Sequence, residues 1–230
     1  MPTPQRALPR TLGVLVALLL LLPACGHAQE GTTFRTLNPP QPTDSPGKIE
    51  VIEFFSYACP HCAHFYPMLE SWRVKLPKDV VLRKVPVGFN REPWTNLQRA
   101  YYALQASGDL EKLDGALFHA IHEEHLQLFD EQSLTDWVRK NGGHADKFAA
   151  AYISLGVNTQ TVQADTMAER YGIEGVPSLA VNGQYVAVSA AQVEQQSLTE
   201  RLANTDQLIA RVRAEQAAKP ARKTGAAAAK

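Results

Sequence analysis

The chain has 230 residues, 45% of them apolar and 20% charged, and its 23 basic and 23 acidic side chains balance to a formal net charge of zero. This is an ordinary globular composition, with length enough for one substantial core or one domain carrying an insertion. No basic block lies outside the C-terminal tail, so nothing favours a nucleic-acid partner, and three cysteines are too few for a structural disulfide network.

Residues 1–28 read as a signal peptide. Arg6 and Arg10 supply a positive start, and residues 12–22 form an apolar run about half the length that a membrane-spanning helix needs. Gly26-His27-Ala28 offers the small residues that a signal peptidase reads, with cleavage before Gln29. That cleavage removes two arginines and no acids, leaving 21 basic and 23 acidic side chains and a net charge of −2. Leu22-Pro23-Ala24-Cys25 also resembles a bacterial lipobox, apart from its proline, so a lipid anchor at Cys25 is the second expectation for this end. Either route leads to a compartment that permits disulfides, with Cys59 and Cys62 as the cysteines of the folded part.

Residues 29–48 carry little periodicity and at most one short edge strand at 33–37. "KIEVIEFF" (48–55) is β-branched and aromatic and reads as a buried strand. Glu53 shares a strand face with Val51 and Phe55, an unusual place for an acid. From Cys59 the pattern becomes helical, with Phe65, Met68, Leu69, Trp72 and Leu76 at three- and four-residue spacing. Pro60 suits the first turn, and Pro67 is expected to kink the same helix. "DVVLRKVPVGF" (79–89) returns as a strand parallel to the first. Residues 93–171 predict four or five helices, one opening on a capping-box-like Ser133-x-x-Asp136 and stopping at Gly142. "PSLAVNGQYVAV" predicts a hairpin turning at Asn182-Gly183, and a last helix covers about 198–213. Residues 216–230 are alanine-rich and low in complexity, and are expected to be disordered. The order is βαβ, a helical block, then ββα: a small mixed-sheet domain with a helical insertion.

The chemistry concentrates in Cys59-Pro60-His61-Cys62. A closed zinc site needs four ligands, and the chain offers no second CxxC or HxxxH; His119, His122 and His125 in "HAIHEEH" read as solvated helix surface. A metal site is therefore not expected. A static bridge over so short a loop would add little stability. Redox exchange gives each residue a reason. A cysteine at a helix N-terminus meets free N–H groups and the positive dipole end, which favour thiolate over thiol. Cys62 lies one turn further in, Pro60 withholds one N–H, and His61 can add positive charge or a hydrogen bond beside the Cys59 sulfur. Stabilising the thiolate stabilises the reduced pair and makes its disulfide an oxidant.

"FFSYACPHCAHFYP" resembles the active-site segment of the DsbA family, the bacterial periplasmic thiol:disulfide oxidoreductases of the thioredoxin superfamily, and the likeness extends over roughly residues 30–215. DsbA is itself a type example of a depressed cysteine pKa, so no magnitude for this chain follows from that likeness. The resemblance implies an α/β, thioredoxin-like fold in two halves, 29–92 and 172–215, around an all-helical insertion at 93–171. It implies that Val176-Pro177 is the valine–cis-proline loop that faces the cysteines and pairs with a substrate strand. It also places Glu53 and Lys84 as the buried acid and lysine beneath the site, with proton transfer to Cys62 as their role. The implied activity is oxidation of reduced exported proteins by a Cys59–Cys62 disulfide, with no other cofactor and no metal. A DsbB-type, quinone-linked membrane partner would reoxidise the enzyme, which is expected to be a monomer. A disulfide isomerase or reductase is the alternative within this chemistry, although a dimerisation domain has no room between residue 28 and the first core strand. A peptide-binding module with incidental cysteines is the alternative outside it.

Overall fold

The run "IEVIEFF" forms the strand on which the rest is built. In the computed structural model, which describes residues 34–187 and 198–218, this strand is β2 (Ile49–Phe55), and all of its residues are buried. The predicted signal peptide at 1–28, Cys25, Thr33 and residues 219–230 lie outside the described residues. The other strands are β1 (Arg35–Thr36), β3 (Val80–Pro86), β4 (Ser178–Val181) and β5 (Tyr185–Val186), in the sheet order β1-β5-β4-β2-β3. β3 runs parallel to β2, and β4 antiparallel to it on the other side. A strand paired on both edges and covered on both faces explains the near-continuous apolar run. The register sets Lys84 beside Glu53.

The helices are α1 (Pro60–Arg73), α2 (Glu92–Ser107), α3 (Leu110–His122), α4 (Glu131–Lys140), α5 (Ala145–Tyr152), α6 (Leu155–Arg170) and α7 (Leu198–Ala218). Ile49 and Val51 of β2 pack with Phe65 and Leu69 of α1 and with Leu208, Ile209 and Val212 of α7. Ile52 and Phe54 pack with Ala164 and Ala168 of α6 and with Tyr171, in the larger cluster that also holds the cores of α2 to α5. The hairpin turns where Asn182 (φ 53°) and Gly183 (φ 63°) take left-handed backbone. A Cβ on Gly183 would lie 2.0 Å from the Gln41 carbonyl oxygen, so only glycine fits there.

Three sequence expectations are corrected. The second predicted strand ends at Pro86, not at residue 89, and Phe89 and Asn90 adopt positive φ. The capping box of α4 begins three residues earlier than Ser133-x-x-Asp136: Asp130 is the cap, its carboxylate accepts the Ser133 N–H at 2.9 Å, and Ser133 answers as the N3 partner. An acid is the stronger acceptor at a helix N-terminus, where free N–H groups and the dipole both favour negative charge. Finally, α7 runs through Ala218, so residues 216–218 of the predicted tail are helical; alanine and glutamine there are adequate helix formers.

Candidate active site

Cys59 is the N-cap of α1, in extended backbone (φ −92°, ψ 117°), with Pro60 at the first helical position. Its sulfur makes no formal capping bond, yet several groups favour its negative charge. The Cys62 thiol acts most strongly by hydrogen bonding; the backbone N–H groups of Cys62 and His61 and the nearby His61 ring add to it against the cost of burial. Together they bring the Cys59 pKa from 9.0 down to about 6. Both cysteines are free thiols. Pro60 and His61 are exposed at the helix tip.

Cys59 is less accessible than a helix-tip nucleophile suggests, with 5% of its surface exposed. It reaches solvent through a recess of about 260 Å³ shared with Phe89, Arg91, Trp94, Glu174, Gly175 and Val176. The Val176–Pro177 peptide is cis. The Cys59 thiol donates to the Val176 carbonyl oxygen at 3.4 Å, so this loop does face the cysteine pair.

Cys62 is fully buried one turn along. Burial, the hydrogen bond with Cys59, and the charges of Cys59 and Glu53 all push its pKa well up, so it holds its proton while Cys59 releases one. Environments that separate the two sulfurs divide the roles of nucleophile and buried partner.

Beneath Cys62, Glu53 is 2% exposed, and its Oε2 makes no hydrogen bond. Burial raises its pKa to about 7, against the lowering effect of Lys84. The lysine has another, closer partner. Lys84 Nζ lies 2.7 Å from Asp114 Oδ2 and 3.8 Å from Glu53 Oε2, and sits over the rings of Tyr66 and Phe55 at 4.6 and 4.9 Å. Tyr57, two residues before Cys59, donates its hydroxyl to the other Asp114 oxygen. Asp114 comes this close because α3 closes on α1 at Gly115, where a Cβ would lie 2.8 Å from the Tyr66 ring. A larger cleft, about 590 Å³, opens over Lys84 and Asp114 and includes neither cysteine.

All eight predicted site residues fall in this region, and Lys84, 3.8 Å from Glu53, is shared with the closer Asp114. Sequence reasoning missed Asp114 and Arg201, a buried residue of α7 whose Nη1 donates to the Pro177 carbonyl oxygen at 3.0 Å. The available signal was a charge on an apolar helical stripe: Asp114 beside Leu113, Leu117 and Phe118, and Arg201 in line with Thr205, Leu208 and Val212. His122 was also misjudged as solvated surface. It is half-buried, with Nε2 2.7 Å from the Tyr57 carbonyl oxygen and its ring stacked on Phe118.

Comparison with known proteins places this geometry in context. The family model described as a DSBA-like thioredoxin domain matches residues 50–203. The chain is 44% identical over 174 residues to the thiol:disulfide interchange protein DsbA of Bordetella parapertussis, covering 75% of this chain and 81% of that protein. Among solved structures, Pseudomonas aeruginosa DsbA superposes with a TM-score of 0.75 at 33% identity, covering 81% of this chain and 95% of the other. DsbA from Xylella fastidiosa gives a TM-score of 0.72 at 32% identity, covering 79% and 96%.

Proposed function

The chain belongs to the DSBA-like thioredoxin-domain family and is a thiol:disulfide oxidoreductase; from that premise we propose which residues carry the exchange and in what order. Cys59 is the exchanging sulfur. With the pair oxidised, a substrate thiolate attacks Cys59 Sγ, the Cys59–Cys62 bond breaks, and Cys62 leaves with the electron pair. Glu53 supplies the proton that Cys62 takes up, since this buried acid lies near enough for its charge to act on Cys62 and has a pKa near neutrality. A second thiolate of the substrate then attacks the substrate's own sulfur in the mixed disulfide. Cys59 departs as a thiolate, and the substrate holds the new disulfide. The observation that carries this order is the asymmetry of the two sulfurs: Cys59 opens onto the recess with a pKa near 6, while Cys62 is sealed and protonated.

Val176 and Pro177 present backbone to the substrate, a role supported by the Val176 carbonyl facing Cys59. Pro60 and His61 tune the pair from the helix tip. The disulfide is its own redox group, and no metal or organic cofactor enters the scheme. The substrates are reduced exported proteins, the site of action is the periplasm after removal of residues 1–28, and a DsbB-type membrane reoxidase closes the cycle around a monomeric enzyme. The relatives carry the interchange-protein name, which gives the isomerase alternative no support.

Two variants test the scheme. Cys59→Ser should lose dithiol oxidation by more than about 1000-fold and form no mixed disulfide. Cys62→Ser should accumulate mixed disulfides through Cys59, visible by mass. Retained oxidase activity in Cys59→Ser would falsify the assignment.

A further inference from the structure

The recess through which Cys59 meets solvent is lined by a cation and an anion that the exchange scheme does not use, Arg91 and Glu174. Arg91 arrives there on a constrained loop. Phe89 and Asn90 take left-handed backbone one after the other (φ 49° and 56°), a conformation that a bulky aromatic residue rarely adopts. Gln98, buried in α2, holds the start of that loop by donating to the Pro86 carbonyl oxygen at 3.0 Å, and Asp165 of α6 accepts the Gly88 N–H at 3.1 Å. A Cβ on Gly88 would lie 2.6 Å from the Thr95 hydroxyl oxygen, so the loop also closes tightly on α2. Strained backbone persists only where its surroundings over-determine it, and it collects at sites that hold ligands. The Arg91 guanidinium lies over the Trp94 ring, 5.1 Å from its centroid, and Trp94 packs against Phe89 at 6.0 Å. A guanidinium can rest on an aromatic face by cation–π attraction and still present N–H donors in its own plane. Among the described residues, the exposed Arg91 side chain makes no hydrogen bond or ion pair, with Glu92 beside it in the chain or with Glu174.

We propose that Arg91 is a specificity-determining residue of the exchange reaction, taking the carboxylate of an Asp or Glu that lies beside the reacting cysteine in an extended client segment. The inference rests on the proposed function, in which the client sulfur attacks Cys59. A cysteine that reaches Cys59 carries its neighbours into the same recess of about 260 Å³, where one of them meets the free N–H groups of Arg91. Arginine and carboxylate match in shape, with two parallel N–H···O bonds that a neutral or basic neighbour cannot form. Glu174 acts with the opposite sign: it repels an acid placed next to it and attracts a base. The two charges together favour one order of acid and base along the client segment.

The test measures kcat/KM for oxidation of peptides by the oxidised protein. Each peptide carries two cysteines joined by a glycine-serine linker, with Glu, Gln or Lys placed either before or after each cysteine. Every value is divided by the rate of the same peptide with hydroxyethyl disulfide, which removes the neighbour's effect on the thiol's own reactivity. On one side of the cysteine, Glu should react about two- to fivefold faster than Lys, and the advantage should shrink in about 1 M salt. Arg91→Gln should abolish that preference and Arg91→Glu should invert it. Arg91 is exposed and caps α2 without a side-chain bond, so both variants keep the fold. Corrected rates that are equal for Glu and Lys on both sides, or a preference that Arg91→Glu leaves in place, overturn the proposal. In either case the peptides are still oxidised, so the proposed function stands while this inference falls. If no peptide is oxidised, both fall.

Discussion

Lys84 is bound to Asp114 at 2.7 Å and only approached by Glu53 at 3.8 Å. The β2–β3 register brings lysine and glutamate side by side, but α3 delivers a second carboxylate that takes the ammonium. Glu53 is left a buried acid whose counter-ion is shared with Asp114, and its burial favours the protonated form.

Asp114→Asn releases Lys84 towards Glu53. The Glu53 midpoint should fall by about one pH unit, read from carboxyl carbon shifts in labelled protein, since Asp114 raises it and Lys84 lowers it. Stability should fall by about 1–3 kcal/mol, less than for a wholly orphaned buried ion, because Glu53 remains to neutralise the lysine. An unmoved Glu53 midpoint would show that Asp114 does not control it.

Glu53→Gln should stabilise the fold at alkaline pH. The folded-state pKa of about 7 stands above the ordinary 4.5, so folding favours the protonated acid. That contribution is fully present below about pH 4.5 and is lost as pH rises through 7. Glutamine resembles the protonated form at every pH. Thermal unfolding should therefore match the native protein near pH 4 and exceed it by about 3 kcal/mol, or roughly 6–12 °C, near pH 8. Release of Cys62 should slow in the same variant, because its proton source is gone.

The reduced protein should gain stability over its disulfide form with rising pH. The Cys59 pKa drops from 9.0 to about 6 on folding, so its stabilising contribution is fully present above 9 and fades as pH falls through 6. Denaturant melts of the two forms at a series of pH values read this directly. A stability difference that is flat between pH 6 and 9 contradicts a depressed Cys59 pKa.

The fold was legible wherever a residue's neighbours in sequence are also its neighbours in space. β2, the start of α1 at Pro60 and the Asn182-Gly183 hairpin follow from short-range pattern and turn chemistry. The cysteine pair was legible for the same reason, as one helical turn holds both sulfurs. Asp114 and Arg201 were not, because their importance depends on which distant surface their helices cover. Asp114 is decided by the Gly115–Tyr66 approach, and Arg201 by the reach of α7 to Pro177. The error over His122 has the same origin: spacing along α3 cannot reveal that Tyr57 waits opposite it.

The depth at which Cys59 lies also dictates what can touch it. On the proposed function, a sulfur set back in a recess lined by Phe89, Trp94 and Val176 is expected to meet an extended segment of polypeptide more readily than a folded surface. Timing would then follow from shape: exchange is expected with client chains that are still unwound, before their own thiols have disappeared inside.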